Sequence, residues 1–491
     1  MELRPYQQEA IDIILADLET QQFELLQAPT GAGKTIMFSK LVERLLKAFE
    51  MRVLILAHRE ILISQTVKRM REVWPEVPVS MACASAGEVD FSQPVVVGSI
   101  QTVAKRINEL PMFHLVIIDE AHRLQPRGNI GSEGEIVTQD SSYNLVLERL
   151  LSYLHTMRVL GVTATPFRLG HGYIYGNKCK PGRLNWFPGL TYQITMKTLI
   201  DTGALVPFGG VVADDLTKDL GFVRRNTGGD FNERQLSEVM SRTIHLDAAV
   251  EAYEAYGEGR KHGVAFCVDI DHAEALEERF SAAGIPCAAV HSEMLHDRRR
   301  WILSEFEAGR INMLLNVGIL IEGWDSPQVD LIMPCRPTLA PALFIQMLGR
   351  GLRTHPGKTD CKLIDLAGNY DRHGHPDSPT VKIPKNRDND DGFDEYDDVP
   401  LPSERMCEEC ETVVTTRAWV CPKCGHLLIP QSDIPTLRQL KHDGTVSITD
   451  EMAEIIECKI REYRSKAGND MIQCCITVAP DKRKCLEDIL I

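Results

Sequence analysis

Residues 28–35 read Ala-Pro-Thr-Gly-Ala-Gly-Lys-Thr. They follow the apolar run Phe23–Gln27 and precede a stretch in which Phe38, Leu41, Val42, Leu45, Leu46 and Phe49 fall at helical spacing. Strand, glycine-bearing loop and amphipathic helix in that order predict the first crossover unit of a parallel α/β sheet. Gly31 and Gly33 allow backbone N–H groups to turn inward, and the helix N-terminus adds positive potential, so the loop Pro29, Thr30, Gly31, Ala32, Gly33, Lys34 and Thr35 is predicted to cradle phosphates. Lys34 would reach the β and γ phosphates of ATP, and the Thr35 hydroxyl would hold Mg2+. Ala28 stands where the usual pattern begins with Gly. A chance glycine turn would explain the loop but not the strand and helix on either side of it.

The remaining chain repeats the same alternation. Apolar runs at 23–27, 52–57, 94–98, 115–118 and 157–162 read as buried parallel strands, and runs at 263–268, 286–290, 312–317, 329–333 and 362–366 read as a second α/β set. Between them the pattern weakens from about 170 to 260, a stretch holding Gly176, Pro181, Gly182, Gly209 and Gly210, which reads as a connecting region. At 491 residues, with 44% hydrophobic and 25% charged side chains, the chain suits two or three folded domains of a soluble protein. The expected divisions are 1–205, 206–380, an acidic linker at 381–404, a four-cysteine module at 405–428, and a partly helical tail at 429–491 whose best helix is 450–464.

Charge and cysteine usage narrow the partners. A net charge of -15 argues against a general grip on polyanions, so any nucleic-acid site must be local; part of the acidity sits in the polar run 388–398. No apolar run approaches the roughly 18–20 residues of a membrane span, and the start lacks the pattern of a signal peptide, so a cytoplasmic protein is expected, nucleoid-associated if bacterial, with no membrane partner. Cys267, Cys287 and Cys335 lie singly in apolar stretches and read as core residues of a reducing compartment.

Two further patterns carry chemistry. Residues 115–122, Leu-Val-Ile-Ile-Asp-Glu-Ala-His, form an apolar strand ending in two carboxylates, at the strand end where such sheets bind ligands. Asp119 would hold the metal, and Glu120 would orient or deprotonate the attacking water; alone, the pair could be a solvated loop. Gln346, Arg350 and Arg353 form a Gln-x-x-Gly-Arg-x-x-Arg pattern in the second α/β unit. Alone it could be a surface helix face, but phosphoryl transfer rewards guanidinium groups supplied from a mobile partner. Cys407, Cys410, Cys421 and Cys424 form two C-x-x-C pairs, which favour a structural four-thiolate Zn2+ site over a redox dithiol.

With Asp-Glu-Ala-His at 119–122 and Thr-Ala-Thr-Pro at 163–166, the chain resembles the DEAH-type members of helicase superfamily 2 and is most similar to the RadD family of bacterial DNA-repair ATPases. The likeness runs over about 3–369 through LRPYQQEAI (3–11), AHRE (57–60), GSIQTV (98–103), LGVTATPFRLGHGYIY (160–175), NVGILIEGWDSPQVDLI (316–332), QMLGRGLR (346–353) and PGKTDCKLIDLAGN (356–369). It implies two tandem RecA-like P-loop domains with parallel sheets, joined here by a small C-terminal zinc ribbon. It implies that Gln7 reads adenine with Arg4 nearby, and that His122, Thr163, Thr165 and Gln346 couple hydrolysis to domain movement. Gly323 and Asp325 would line the cleft from the second domain, with Arg350 and Arg353 as arginine fingers. Nucleic-acid contacts are implied at Arg59, Gln101, Thr102, His291, Ser292 and Asn316. The resemblance therefore implies an ATP-dependent motor on nucleic acid, expected to be DNA with single-stranded or branched regions, with the C-terminal region open to a repair-protein partner. An ATP-switched scaffold, or the translocase subunit of a defence or restriction complex, is the alternative.

Overall fold

In the computed structural model the described residues are 3–130, 136–138, 141–213, 220–221, 223–257, 259–321, 323–383, 404–406, 413–415, 423, 437–439, 455–464 and 470–478. The chain divides into two compact units, Met1–Lys441 and His442–Ile491. Among the described residues the first unit holds two large sheets, each at the centre of one lobe, and three small ones.

The first sheet contains eight strands: β1 (Phe23–Gln27), β2 (Val53–Ala57), β3 (Val79–Cys83), β4 (Glu88–Val89), β5 (Val95–Ser99), β6 (Leu115–Asp119), β7 (Arg158–Thr163) and β8 (Tyr192–Gln193). Their order is β8-β1-β7-β6-β2-β5-β3-β4, parallel throughout except for the β3–β4 pair. Strands β2, β5 and β6 are buried along their whole length, which is why they read as unbroken apolar runs rather than alternating ones. Helices α1 (Pro5–Thr20), α2 (Lys34–Ala48) and α3 (Glu60–Val73) pack their apolar positions, among them Ile11, Phe38, Leu41 and Ile63, into one core against this sheet.

The chain crosses to the second lobe beside Leu205, which bridges to Arg353, and Val206, whose N–H donates to the Leu352 carbonyl at 2.8 Å. The second sheet contains β9 (Phe208–Ala213), β10 (Gly263–Phe266), β11 (Cys287–Val290), β12 (Met313–Asn316), β13 (Leu331–Pro334), β14 (Cys361–Asp365) and β15 (Leu437–Gln439). The order is β11-β12-β10-β13-β14-β9-β15, with only β15 antiparallel. Helix α4 (Pro341–Gly349) packs Phe344, Met347 and Leu348 into the shared core and ends at the arginine pair. Beyond β14, the Asp377 carboxylate accepts hydrogen bonds from the N–H groups of Met196 and Lys197 at 2.5 and 2.9 Å, tying the exit of the second lobe to the short helix Met196–Asp201.

Strands β8 and β9 lie where weak patterning is expected. Strand β9 falls within the supposed connecting region because Gly209 and Gly210 look like loop residues. A Cβ on Gly210 would stand 1.7 Å from the Leu363 carbonyl oxygen of the paired strand β14. Close backbone approach is therefore the reason for glycine there. Gly210→Ala is expected to destabilise the first unit by about 3 kcal/mol or more, by overpacking against backbone that cannot yield. Urea denaturation checks this, and an unchanged midpoint would contradict the β9–β14 pairing.

Two buried imidazoles make the second lobe acid-sensitive. His272 accepts from the Val268 N–H at 3.2 Å, and burial pushes its pKa down from 6.5 to about 4. His373 Nε2 donates to the Thr338 carbonyl at 2.9 Å; burial, reinforced by Arg372, lowers its pKa to about 3. Both are held neutral, so their contribution is fully present above pH 6.5 and is lost as pH falls toward these lowered values. The buried Asp365, raised to about 6 by desolvation, acts in the opposite sense. A His272→Asn, His373→Gln double variant should therefore lose less thermal stability than wild type between pH 6.5 and 4, whatever its starting Tm. Parallel pH profiles would contradict this.

In the second unit, strands Ile455–Arg464 and Asp470–Val478 form an antiparallel pair. The expected helix at 450–464 is thus corrected to a strand over most of its length. Ile455, Ile456, Ile460 and Tyr463 favour a strand, and Ile472, Ile476, Thr477 and Val478 supply a β-favouring partner across the pair. Cys407, Cys410, Cys421 and Cys424, together with the acidic run 388–398, lie outside the described residues.

Candidate functional site

The strand order creates the site. Strands β1 and β6 flank β7, so the loop after β1 and the carboxylates after β6 emerge side by side at the C-terminal end of the sheet. Gly31 and Gly33 take φ values of 92° and 81°, a left-handed conformation that glycine adopts without steric cost. Gly33 is also the N-cap of α2, which puts Lys34 and Thr35 in the first helical turn. The opening segment braces this loop. Gln7 Nε2 and the Tyr6 hydroxyl donate to the Ala32 carbonyl at 2.9 and 3.2 Å, while Gln7 Oε1 accepts from the Arg4 N–H at 3.0 Å.

Lys34 Nζ stands 3.1 Å from Glu120 Oε1, with both side chains mostly buried. Glu120 is the only non-glycine residue with positive φ among the described residues, at φ 51° and ψ 53°. Such a backbone strains a bulky side chain and persists only where its surroundings over-determine it. Here the Glu120 N–H donates to Asp119 Oδ1 at 3.0 Å, while its carboxylate faces Lys34 and, at 3.3 Å, His122 Nδ1. The two acids are driven apart in proton affinity. Burial raises Asp119, reinforced by the neighbouring Glu120 charge. Burial acts on Glu120 in the same sense, but Lys34 and His122 outweigh it and hold that carboxyl well below its usual range. His122 Nδ1 also lies 3.0 Å from Thr163 Oγ1, which accepts from the Thr165 N–H at 3.1 Å. His122, Thr163 and Thr165 thus form a polar chain behind the carboxylates, running to the end of β7.

The second lobe closes the cavity. A cavity of about 470 Å³ is lined from the first lobe by Arg4, Gln7, Thr30, Gly31, Gly33, Lys34, Thr35, Asp119 and Glu120, and from the second by Gly323, Asp325, Gln346, Arg350 and Arg353. Pro29 and Ala32 belong to the loop without lining the cavity. Contact between lobes is direct: a Cβ on Gly349 would lie 3.2 Å from Thr30 Cβ, and one on Gly31 would lie 2.6 Å from Leu205 Cδ2. Arg350 Nε donates to the Ile321 carbonyl at 2.9 Å and its Nη1 to the Trp324 carbonyl. Arg353 forms an ion pair with Asp325, and burial lowers its pKa to about 10.

Sequence patterns did not single out Leu62, Gln65 and Arg69 of α3, which also line the cavity. Gln65 Nε2 crosses it to the Gly323 carbonyl at 3.1 Å. A mid-helix glutamine carries no local signature, and only the arrival of the second lobe gives it a partner.

The residues expected to touch nucleic acid divide into two groups. Gln101 is exposed after β5, and Arg59 is half-buried at the N-terminus of α3 after β2. Beyond the edge strand β11, His291 is half-buried and Ser292 exposed. The structure does not bring Thr102 and Asn316 to an open face. Thr102 is buried, and its hydroxyl accepts from the Ala84 N–H at 3.0 Å. Asn316 is fully buried, with Oδ1 accepting from the Leu320 N–H at 3.0 Å, where it shapes the loop leading toward Gly323. A local backbone N–H engages each side chain, while Asn316 Nδ2 is buried without a hydrogen-bond partner. Among the described residues no group of three or more His, Cys, Asp and Glu could hold a metal by itself. Asp119 nevertheless fits a Mg2+ site completed by phosphate oxygens. It is buried and raised by a neighbouring carboxylate, which a cation would relieve, and Thr35 lines the same cavity.

Comparison with known proteins agrees with this architecture. The family model for the res subunit of type III restriction enzymes matches residues 1–168, and that for the helicase conserved C-terminal domain matches residues 248–355. IRC3 of Saccharomyces cerevisiae, assigned as an ATP-dependent helicase, is 28% identical over 379 residues, covering 74% of this chain and 51% of that protein. This chain thus spans about half the length of IRC3. A 51.5 kDa protein of a Lactococcus phage is 25% identical over 412 residues, covering 82% of this chain and 77% of its own. A solved fragment assigned as the HsdR subunit of a type I restriction enzyme from Vibrio vulnificus shares the fold at TM-score 0.54 and 20% identity, over 78% of this chain and 68% of that one. Residues 1–168 and 248–355 are thus similar to the two domains that superfamily 2 helicases pair.

Proposed function

We propose that this chain is an ATP-driven motor on nucleic acid, of the DEAH type and most similar to RadD, acting on DNA with single-stranded or branched regions during repair or recombination. The observation that carries the reading is one cavity faced by Lys34, Asp119 and Glu120 from one lobe and by Gln346, Arg350 and Arg353 from the other. A site divided between two lobes turns over only when they are together, which links hydrolysis to movement along a strand.

Lys34 neutralises Glu120 in the structure. A triphosphate entering the loop would compete for the ammonium group. Glu120, kept ionised, would then accept a proton from water or orient it toward the γ phosphorus. Mg2+ held by Thr35 and Asp119 would supply charge neutralisation for the phosphates. Arg350 and Arg353 would face the charge that spreads over the transferred group. Gln7, bonded to the Ala32 carbonyl of the loop, would read the adenine with Arg4 nearby.

Cys407, Cys410, Cys421 and Cys424 would hold a structural Zn2+, since four thiolates leave no position for water. The acidic linker and the tail would offer a surface to a repair protein, and the protein would work in the cytoplasm, at the nucleoid if the host is bacterial. The match to the res subunit family supports a second reading, the translocase part of a restriction or defence complex.

Phosphate release measured with no nucleic acid, single-stranded DNA, forked DNA, blunt duplex and RNA tests the proposal, with strand displacement followed on the forked substrate. The expected result is stimulation of at least about tenfold by single-stranded or forked DNA. Turnover indifferent to every nucleic acid would overturn the motor and favour an ATP-switched scaffold.

A further inference from the structure

Leu205 lies where the chain passes from one lobe to the other, between the short helix Met196–Asp201 and β9, with 2% of its surface exposed. Separate contacts on the two lobes meet at this residue. Its side chain belongs to the core that also holds Ala28 and Ala32, and it rests on the glycine loop: a Cβ on Gly31 would stand 2.6 Å from Leu205 Cδ2 and 3.8 Å from Cγ. Its backbone pairs with Arg353 in an antiparallel bridge, beside the bond from the Val206 N–H to the Leu352 carbonyl at 2.8 Å. Its N–H donates to the Leu199 carbonyl at 3.0 Å, as the Ala204 N–H does at 2.7 Å, which anchors the crossing to a fully buried residue of the preceding helix. Arg353 meets the same spot, with its Cγ 3.9 Å from the Cβ position on Gly31.

A core role alone would account for the burial of a leucine. It would not account for a side chain on the loop and a backbone on the arginine. Ala204 lines the nucleotide cavity and Leu205 does not, so any effect of Leu205 on the reaction passes through the groups it touches. Close-packed contacts transmit small displacements rather than absorb them, and about 1 Å of misplacement costs a reaction on the order of 10²-fold. The loop is braced separately by Gln7 and Tyr6 at the Ala32 carbonyl, so it keeps its own support when Leu205 is shortened.

We propose that Leu205 is a positioning residue for ATP hydrolysis. Seated on Gly31 and paired with Arg353, it fixes the separation between the loop that receives the phosphates and the arginine that meets them from the second lobe. The inference rests on the reading that both serve one triphosphate.

Initial rates of phosphate release over a range of ATP concentrations, measured on full-length variants and divided by the folded fraction from urea curves, test it. Leu205→Ala should lower kcat by between about 10-fold and 100-fold, while the KM for ATP moves by less than about threefold. Leu205→Met, which conserves volume, should return kcat to within about threefold of wild type. Single-turnover hydrolysis of radiolabelled ATP extends the comparison to the slow Arg353→Ala protein. Adding Leu205→Ala there should cost less than about twofold, because the group it positions is already gone. Where Leu205→Ala does not fold, Leu205→Val carries the same comparison, with a smaller loss that is likewise absent beside Arg353→Ala. Wild-type kcat in the folded Leu205 variant, or a rise in KM with kcat unchanged, would overturn the inference. The same fractional loss with and without Arg353 would also overturn it, since that is what a merely structural leucine gives. An Arg353→Ala protein that turns over like wild type would instead remove the reading beneath it.

Discussion

ATP turnover is expected to fall by about 10²- to 10³-fold in Lys34→Ala, the effect of removing one preorganised charge from a phosphoryl-transfer site. The structure supplies two reasons. Lys34 is the lysine of the cavity and sits in the first turn of α2, where the helix N-terminus already favours anions. It is also the partner that holds the buried Glu120 carboxyl low, at 3.1 Å. Without it Glu120 loses one of the two groups that hold its carboxyl low, His122 being the other, so the loss touches both phosphate binding and the charge balance around the attacking water. Initial rates of phosphate release, with a urea denaturation curve recorded in parallel, separate impaired chemistry from impaired folding. A correctly folded variant turning over within twofold of wild type would contradict the assignment.

Arg350→Ala is expected to lower kcat by about 10³- to 10⁵-fold with a much smaller change in the KM for ATP, the pattern of an interaction made chiefly in the transition state. The guanidinium is buried and bonded to the carbonyls of Ile321 and Trp324, so the substitution also loosens the loop that carries Gly323 and Asp325. Arg350→Lys distinguishes the two consequences. Lysine keeps the charge but cannot reproduce the planar fork, so a variant limited by geometry should remain severely impaired. Arg353→Ala should follow the same direction, and Asp325→Asn should not mimic it if Arg353 acts on the nucleotide rather than only on Asp325. A rise in KM with kcat unchanged would place both arginines in ground-state binding and remove them from the chemical step.

The parts of this architecture that can be read from the chain are those whose physics is local. An apolar run, two glycines that must adopt positive φ, and a lysine opening a helix describe one crossover unit wherever they occur, and a glycine loop of that geometry joins β1 to α2. The ten apolar runs stand out because parallel strands are covered on both faces. Strand β9 is hidden for the converse reason, since Gly210 answers to the backbone of β14, more than a hundred residues away. Gln65 is hidden because its partner belongs to the other lobe. Thr102 and Asn316 each satisfy a buried backbone donor, so a polar residue in a loop motif can serve the loop itself. At the tail, a short segment rich in isoleucine fits a helix or a strand by periodicity, and the pairing of 455–464 with 470–478 decides it.

Hydrolysis coupled to movement requires that one triphosphate be met by both lobes at once. A structure of the protein with Mg2+, ADP and aluminium fluoride decides whether it is. Lys34, Glu120 and Arg350 are all expected within bonding distance of the same analogue. An analogue held by the first lobe alone, with Arg350 still bonded to the carbonyls of Ile321 and Trp324 and turned from the fluoride, would rule the motor out.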